Sequence, residues 1–208
     1  MRIVSFTMTC LSVNFLLLTT ISALSDLAAT TTHRSPLYNF GPASQRDTVL
    51  FSAERPGNPP GKNDPIPDER VVEWIQFMQE KEQNIHTVVA LLDENELVNY
   101  QPTGLLTLYR QYGLKCQVQS MSDPRAANNL FHLFEQAEAA QQRVVTHCTG
   151  GIGRCGRVEG AWLMHRYQLT AEQASQETLL CAQHVGMIRA CDPVQLKQWL
   201  DTQRLGYS

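Results

Sequence analysis

The segment 144–156, VVTHCTGGIGRCG, constrains this chain more than any other. It runs from β-prone residues through a histidine and a cysteine into a turn holding three glycines. The turn ends on Arg154, after which Val158, Ala161, Trp162 and Leu169 recur as an apolar helical face. A strand that enters a helix through so short a turn must bend sharply, and Gly150, Gly151 and Gly153 permit the backbone angles required. The same angles turn successive N–H groups to one side. That makes a nest for an anion, to which the helix N-terminus adds its partial positive charge. Thr149, Gly150, Gly151, Ile152, Gly153 and Arg154 are therefore predicted to bind a phosphoryl group.

Within that cradle Arg154 offers a planar fork able to hold two phosphoryl oxygens and to stabilise the charge that develops on them, which a lysine cannot do. Cys148 lies at the base, where inward N–H groups and the helix dipole favour thiolate over thiol; the free-cysteine pKa of about 8.5 falls by several units in such settings. A nucleophile charged at neutral pH is the predicted result. His147 is expected to hold the loop through hydrogen bonds rather than to react. The plain alternative is a glycine-rich strand-to-helix turn around a buried cysteine. A dinucleotide site is disfavoured because no acidic residue follows at the right place on a further strand.

The rest of the chain supplies a frame for such a turn. Residues 86–92 (HTVVALL) form a continuous apolar, β-branched run, the pattern of a strand buried on both faces. Helical spacing places Val71, Trp74, Ile75 and Met78 on one face after Pro67, and Leu105, Leu108, Tyr109 and Tyr112 on another that stops at Gly113. Residues 115–121 predict a strand, and Leu130, Leu133, Phe134 and Ala137 a third helix. Residues 48–52 predict an edge strand, followed by a loop through the Gly- and Pro-rich 55–61. Beyond residue 154 the pattern is all helical, with a capping box at Thr170 and Gln173 and a helix start at Asp192, Pro193 and Gln195. This alternation predicts an α/β fold with a mainly parallel central sheet flanked by helices.

Composition excludes several classes. A net charge of −3 without a basic stripe argues against a nucleic-acid partner, and no run of Lys and Arg suits a charged membrane surface. Six cysteines in 208 residues are too few for a disulfide framework, and none has zinc-site spacing, so no metal is expected. Residues 1–25 read as an export or anchoring segment, or as a poorly ordered extension, because residues 3–25 carry no charge and Ala23, Leu24 and Ser25 resemble a cleavage site. Residues 26–47 read as a linker and 48–208 as one domain. A thiolate enzyme needs a reducing compartment, so a cytoplasmic monomer is expected, with membrane contact only if the apolar segment is retained.

At residues 147–154 the sequence resembles the HCxxGxxR signature of the protein-tyrosine phosphatase superfamily, and its Gly-Gly-x-Gly-Arg form is most similar to dual-specificity members. The likeness extends from Thr48 to Leu200. It implies the cysteine-phosphatase fold and a two-step cysteinyl-phosphate mechanism without metal or cofactor, acting on phosphotyrosine and other phosphorylated residues of proteins. By the same resemblance Asp123 is the general acid, although its link to Cys148 is shorter than the family usually has, and it also reads as a turn residue before Pro124. Cys155 stands where the family has a Ser or Thr that helps the sulfur leave. A thiol is a weaker donor, which predicts slow hydrolysis of the phosphoenzyme and, under oxidation, a protective Cys148–Cys155 disulfide. These departures also open a second reading, a phosphate-binding module with little turnover; a sulfur-transfer or arsenate-reducing enzyme is a third. Arg55 and Arg189 read as surface pairs, Gln195 and Gln198 as helix surface, and Cys116, Cys181 and Cys191 as small core residues.

Overall fold

The computed structural model describes residues 36–57 and 65–205. The readings of residues 1–25, of the linker up to residue 35 and of most of the Gly- and Pro-rich loop lie outside the described residues. In chain order the elements are β1 (Gly41–Pro42), β2 (Leu50–Glu54), α1 (Asp68–Gln79), β3 (Ile85–Ala90), α2 (Glu94–Leu97), α3 (Leu105–Gln111), β4 (Lys115–Val118), α4 (Ala126–Ala139), β5 (Arg143–Cys148), α5 (Gly153–Tyr167), α6 (Ala171–Val185) and α7 (Pro193–Leu205). The five-stranded sheet has the order β1-β2-β5-β3-β4, parallel except for β1. No helix among the described residues is long and apolar enough to cross a membrane.

Strand alternation sorts the core into two layers. Val88, Ala90 and Leu92 enter one apolar cluster with Trp74, Ile75 and Met78 of α1 and Leu105 and Tyr109 of α3. Val89 and Leu91 enter the other, with Phe134 of α4 and Trp162 of α5. A strand lined on both faces has no solvent side to mark with polar residues, which is why 86–92 reads as an unbroken apolar run. Each fully buried large side chain contributes about 1.5–3 kcal/mol, so Trp74, Ile75 and Met78 are enough to dock α1 against the sheet. Asp68 and Glu69 in its first turn suit the helix dipole. The capping box of Thr170 and Gln173 starts α6, and Gly186 ends it in the left-handed region at φ 78°.

Two expectations are corrected. Residues 36–47 belong to the folded unit rather than to a linker: β1 pairs with β2, and Ala43, Ser44 and Asp47 are buried. Asp47 accepts hydrogen bonds from the Val49 and Leu50 N–H groups and, at 2.6 Å, from the indole of Trp162. These contacts are polar and aperiodic, so no hydrophobic spacing announces them. Consequently β2 is no edge strand, since it lies between β1 and β5.

The order of strands locates the site. The β2-to-β3 connection steps over β5, and β5 later fills the gap, with α1 and α3 packed on one face of the sheet and α4 and α5 on the other. Where connections leave a sheet in this way, a crevice opens beyond the carboxyl ends of the central strands. Cys148 ends β5 at that point.

Candidate active site

From Cys148 the chain turns through residues 149–152 into α5. Gly151 has φ +67°, and a Cβ there would lie 2.6 Å from the backbone of Ala53 and Glu54, so both conformation and space demand glycine. Residues 151–156 also spell GxGxxG, but α5 is followed by α6 and α7, and among the described residues no later strand carries the acid of a dinucleotide site.

Cys148 is 3% exposed. Its pKa is lowered to about 5 by the thiol of Cys155, whose sulfur lies 3.5 Å away, and further by the N–H groups of Cys155 and Ile152 and the charge of Arg154, all against a burial that would raise it. At neutral pH the sulfur is a thiolate. Burial and the neighbouring Cys148 push the Cys155 thiol well above its ordinary range, so it stays protonated and able to donate.

Arg154 is held tightly. Nη1 donates to the Leu91 carbonyl and to Glu96 Oε2, both at 2.6 Å, while Nη2 donates to Glu96 Oε1 at 2.9 Å and to the Thr149 hydroxyl at 2.7 Å. Thr149 in turn donates to Glu96 Oε1 at 2.6 Å. Burial would raise the pKa of Glu96, but the hydrogen bonds of Arg154, Thr149 and the Asp93 N–H outweigh it and set the value at about 2. Glu96 is positioned by a capping box with Asp93 at the start of α2. Sequence reasoning missed it, although the Asp-x-x-Glu pattern directly after a buried strand is a visible helix-start signal.

His147 and Cys148 are neighbours on a strand and so point to opposite faces. The imidazole lies between Trp74 and Tyr109, its Nε2 2.9 Å from the Tyr109 hydroxyl, and its Nδ1 has no hydrogen-bond partner among the described residues. It therefore anchors the strand to α3, where a bond to the loop was expected. Burial first, then the charges of Arg154 and Arg55, lower its pKa to about 3, so it is neutral at pH 7.

Asp123 is not brought to this cluster by any hydrogen bond it makes. Its carboxylate accepts the Arg125 N–H at 2.8 Å and the amide of Gln119 at 3.5 Å, which are the bonds of a turn leading into α4. The Arg125 N–H lowers its pKa, favouring carboxylate over acid.

The two arginines read as surface pairs are both buried. Arg55 donates its N–H to the Cys148 carbonyl, and its guanidinium lies 3.9 Å from Glu96. Arg189 packs behind the loop against Glu159, both side chains wholly buried. Gln195 and Gln198 are exposed on α7, and the two tryptophans singled out from helix periodicity, Trp74 and Trp162, lie fully in the core.

A family model described as a DSP-PTPase phosphatase of polymorphic toxin systems matches residues 65–168. Among solved structures, Tk-PTP in its active form superposes with a TM-score of 0.54 at 19% identity, covering 77% of this chain and 97% of that one. Kinase-associated phosphatase with its catalytic-site cysteine changed to serine gives 0.57 at 18% identity, covering 76% and 88%. A human tyrosine phosphatase-like serine/threonine/tyrosine-interacting protein gives 0.55 at 11% identity, covering 79% and 97%. At these identities the likeness is one of fold. No curated protein matches the chain in sequence.

Proposed function

Because the chain belongs to the DSP-PTPase phosphatase family of polymorphic toxin systems, we propose that it hydrolyses phosphomonoesters, phosphotyrosine in proteins first among them, through a phosphate carried on Cys148. The observation that carries this reading is the buried sulfur of Cys148 at the carboxyl end of β5, 3.5 Å from the Cys155 thiol and at the head of the glycine turn into α5, where its pKa is lowered to about 5. In the first step the thiolate attacks phosphorus, the S–P bond forms as the ester P–O bond breaks, and the leaving oxygen takes a proton from water. In the second, water attacks the phosphocysteine, inorganic phosphate leaves, and Cys148 returns to thiolate.

Arg154 enters by exchanging partners. Both terminal nitrogens are engaged, so a bound phosphoryl group takes the Nε–H and displaces the Thr149 hydroxyl from Nη2, while Glu96 keeps the fork in plane. Asp123 serves as acid or base only after its carboxylate leaves the Arg125 N–H. Aryl phosphates, whose leaving groups need little protonation, are the substrates this site handles without it.

Cys155 bears on the second step. The departing sulfur must be stabilised as it regains charge, and a thiol 3.5 Å away does this less well than a hydroxyl. Cys155→Ser is expected to raise steady-state turnover about three- to tenfold and to shrink the pre-steady-state burst of released phenol, since one hydrogen bond of ordinary strength is worth about 1 kcal/mol. An unchanged burst and rate would show that the second step does not depend on this residue.

The alternative, a phosphate-binding module without turnover, draws on the engaged Asp123 and the saturated terminal nitrogens of Arg154. An aryl phosphate assay separates the two. Vanadate-sensitive hydrolysis supports the enzyme, and phosphate binding without hydrolysis supports the module.

A further inference from the structure

Three successive carbonyls of the phosphate loop, those of Gly150, Gly151 and Ile152, are held by hydrogen bonds. The Gly150 carbonyl accepts from Asn39 Nδ2 at 3.1 Å, and the Gly151 carbonyl from Arg189 Nη1 at 2.8 Å and from Asn39 at 3.4 Å. The Ile152 carbonyl accepts the N–H groups of Gly156 and Ala190. A trans peptide is planar, with its C=O and N–H on opposite sides, so a carbonyl pinned outward turns the next N–H inward. The three N–H groups so aimed belong to Gly151, Ile152 and Gly153, and that of Ile152 acts on the Cys148 sulfur.

The donors come from two segments far from the loop in sequence, and each is built for the position. Asn39 has φ 49°, a left-handed conformation that asparagine tolerates, and its carboxamide also brackets Ile188, accepting the N–H at 2.8 Å and donating to the carbonyl at 3.0 Å. Arg189 keeps its charge balanced by Glu159 at 2.9 Å and spends its remaining N–H groups on backbone carbonyls, including those of Ser52 and Asn39, and on the Met187 sulfur. Gly156 lets this connection approach so closely that a Cβ would lie 2.4 Å from the Ala190 carbonyl.

We propose that Asn39 and Arg189 form an outer brace that positions the phosphate loop, setting the ionisation of Cys148 and the affinity for the phosphoryl group without touching either. Neither residue lies in the 65–168 span of the family match, so the working unit extends on both sides of it. The inference rests on Cys148 being the thiolate of the proposed function, and the experiment separates the two.

The variants are Asn39→Gly, which keeps the left-handed backbone and removes the side chain, and Arg189→Lys, which keeps the charge opposite Glu159 and loses the fork. The full chain is alkylated with iodoacetamide across pH, modification of Cys148 is followed by peptide mass spectrometry, and tungstate affinity and Tm are measured alongside. In the wild type the alkylation midpoint falls near the pKa of about 5. In Asn39→Gly it rises by about one pH unit and tungstate binds about tenfold more weakly, as expected when N–H groups lose their aim at a charge, while Tm changes little. Arg189→Lys moves both in the same direction; if its buried position prevents folding, Asn39→Gly alone decides. A wild-type midpoint near 5 that stays put in Asn39→Gly, whatever happens to Tm, overturns the brace. A wild-type Cys148 that alkylates like an ordinary thiol overturns the nucleophile assignment, and the brace with it.

Discussion

Replacing Cys148 with serine is expected to lower aryl phosphate turnover by about 10,000-fold or more, on the scale seen when an enzyme loses its nucleophile, while tungstate binding stays within about threefold of wild type. The Cys155 thiol first, then the N–H groups of Cys155 and Ile152 and the charge of Arg154, hold the Cys148 thiol at a pKa of about 5, well below its ordinary value. A serine hydroxyl begins so much higher that the same shift leaves it protonated. His147, the nearest candidate base by sequence, cannot take its proton, because it faces the opposite side of the sheet and bonds to Tyr109. The oxygen is also smaller and its bond to Cβ shorter, so it sits farther from phosphorus. Binding survives because the guest is held by backbone N–H groups and Arg154, and removing a thiolate removes a repulsion. Cys181→Ala is the control, since that sulfur is also buried but hydrogen-bonds to the Pro42 carbonyl and not to the Cys148 sulfur. Turnover of Cys148→Ser within about a hundredfold of wild type would place the nucleophile elsewhere.

Arg154→Lys is expected to cost about a thousandfold in kcat/KM, or about 4 kcal/mol of transition-state stabilisation. The guanidinium makes two bonds to Glu96, one to the Leu91 carbonyl and one to Thr149, and this frame holds its plane against the loop. An ammonium has no plane to hold and cannot match two phosphoryl oxygens at once. It also leaves the Glu96 carboxylate, whose pKa is about 2 with Arg154 in place, less well neutralised beside an incoming dianion. Adding Glu96→Gln to Arg154→Lys removes that charge and is expected to recover part of the phosphate affinity, but not kcat. If Arg154 served only to hold Glu96, the single variant would lower Tm and leave kcat/KM close to wild type.

Legibility followed the distance over which each feature is determined. The buried strands, the apolar faces of α1 and α4 and the capping box of α6 were readable because period and capping are written in adjacent residues. The glycine-rich turn between Cys148 and Arg154 was readable for the same reason. The linker reading failed at residues 36–47, where Asp47 bonds to Trp162 over a separation of 115 residues and no local pattern records it. Asp123 was assigned by resemblance, yet its hydrogen bonds belong to its own turn. His147 shows how much a single position matters, since alternation along β5 turns it away from the sulfur beside it.

By itself, then, the sequence determined the glycine-rich turn that joins the strand ending at Cys148 to the helix carrying Arg154, and the alternation of strand and helix that packs into a parallel sheet. Those follow from steric limits and side-chain spacing within a few residues. Only the tertiary structure decided what the charged groups lean on: Glu96 under Arg154, Glu159 against Arg189, Asn39 behind the loop. A buried charge or carbonyl accepts any partner of the right chemistry that the fold brings within about 3 Å, and chain order carries no record of which one arrives.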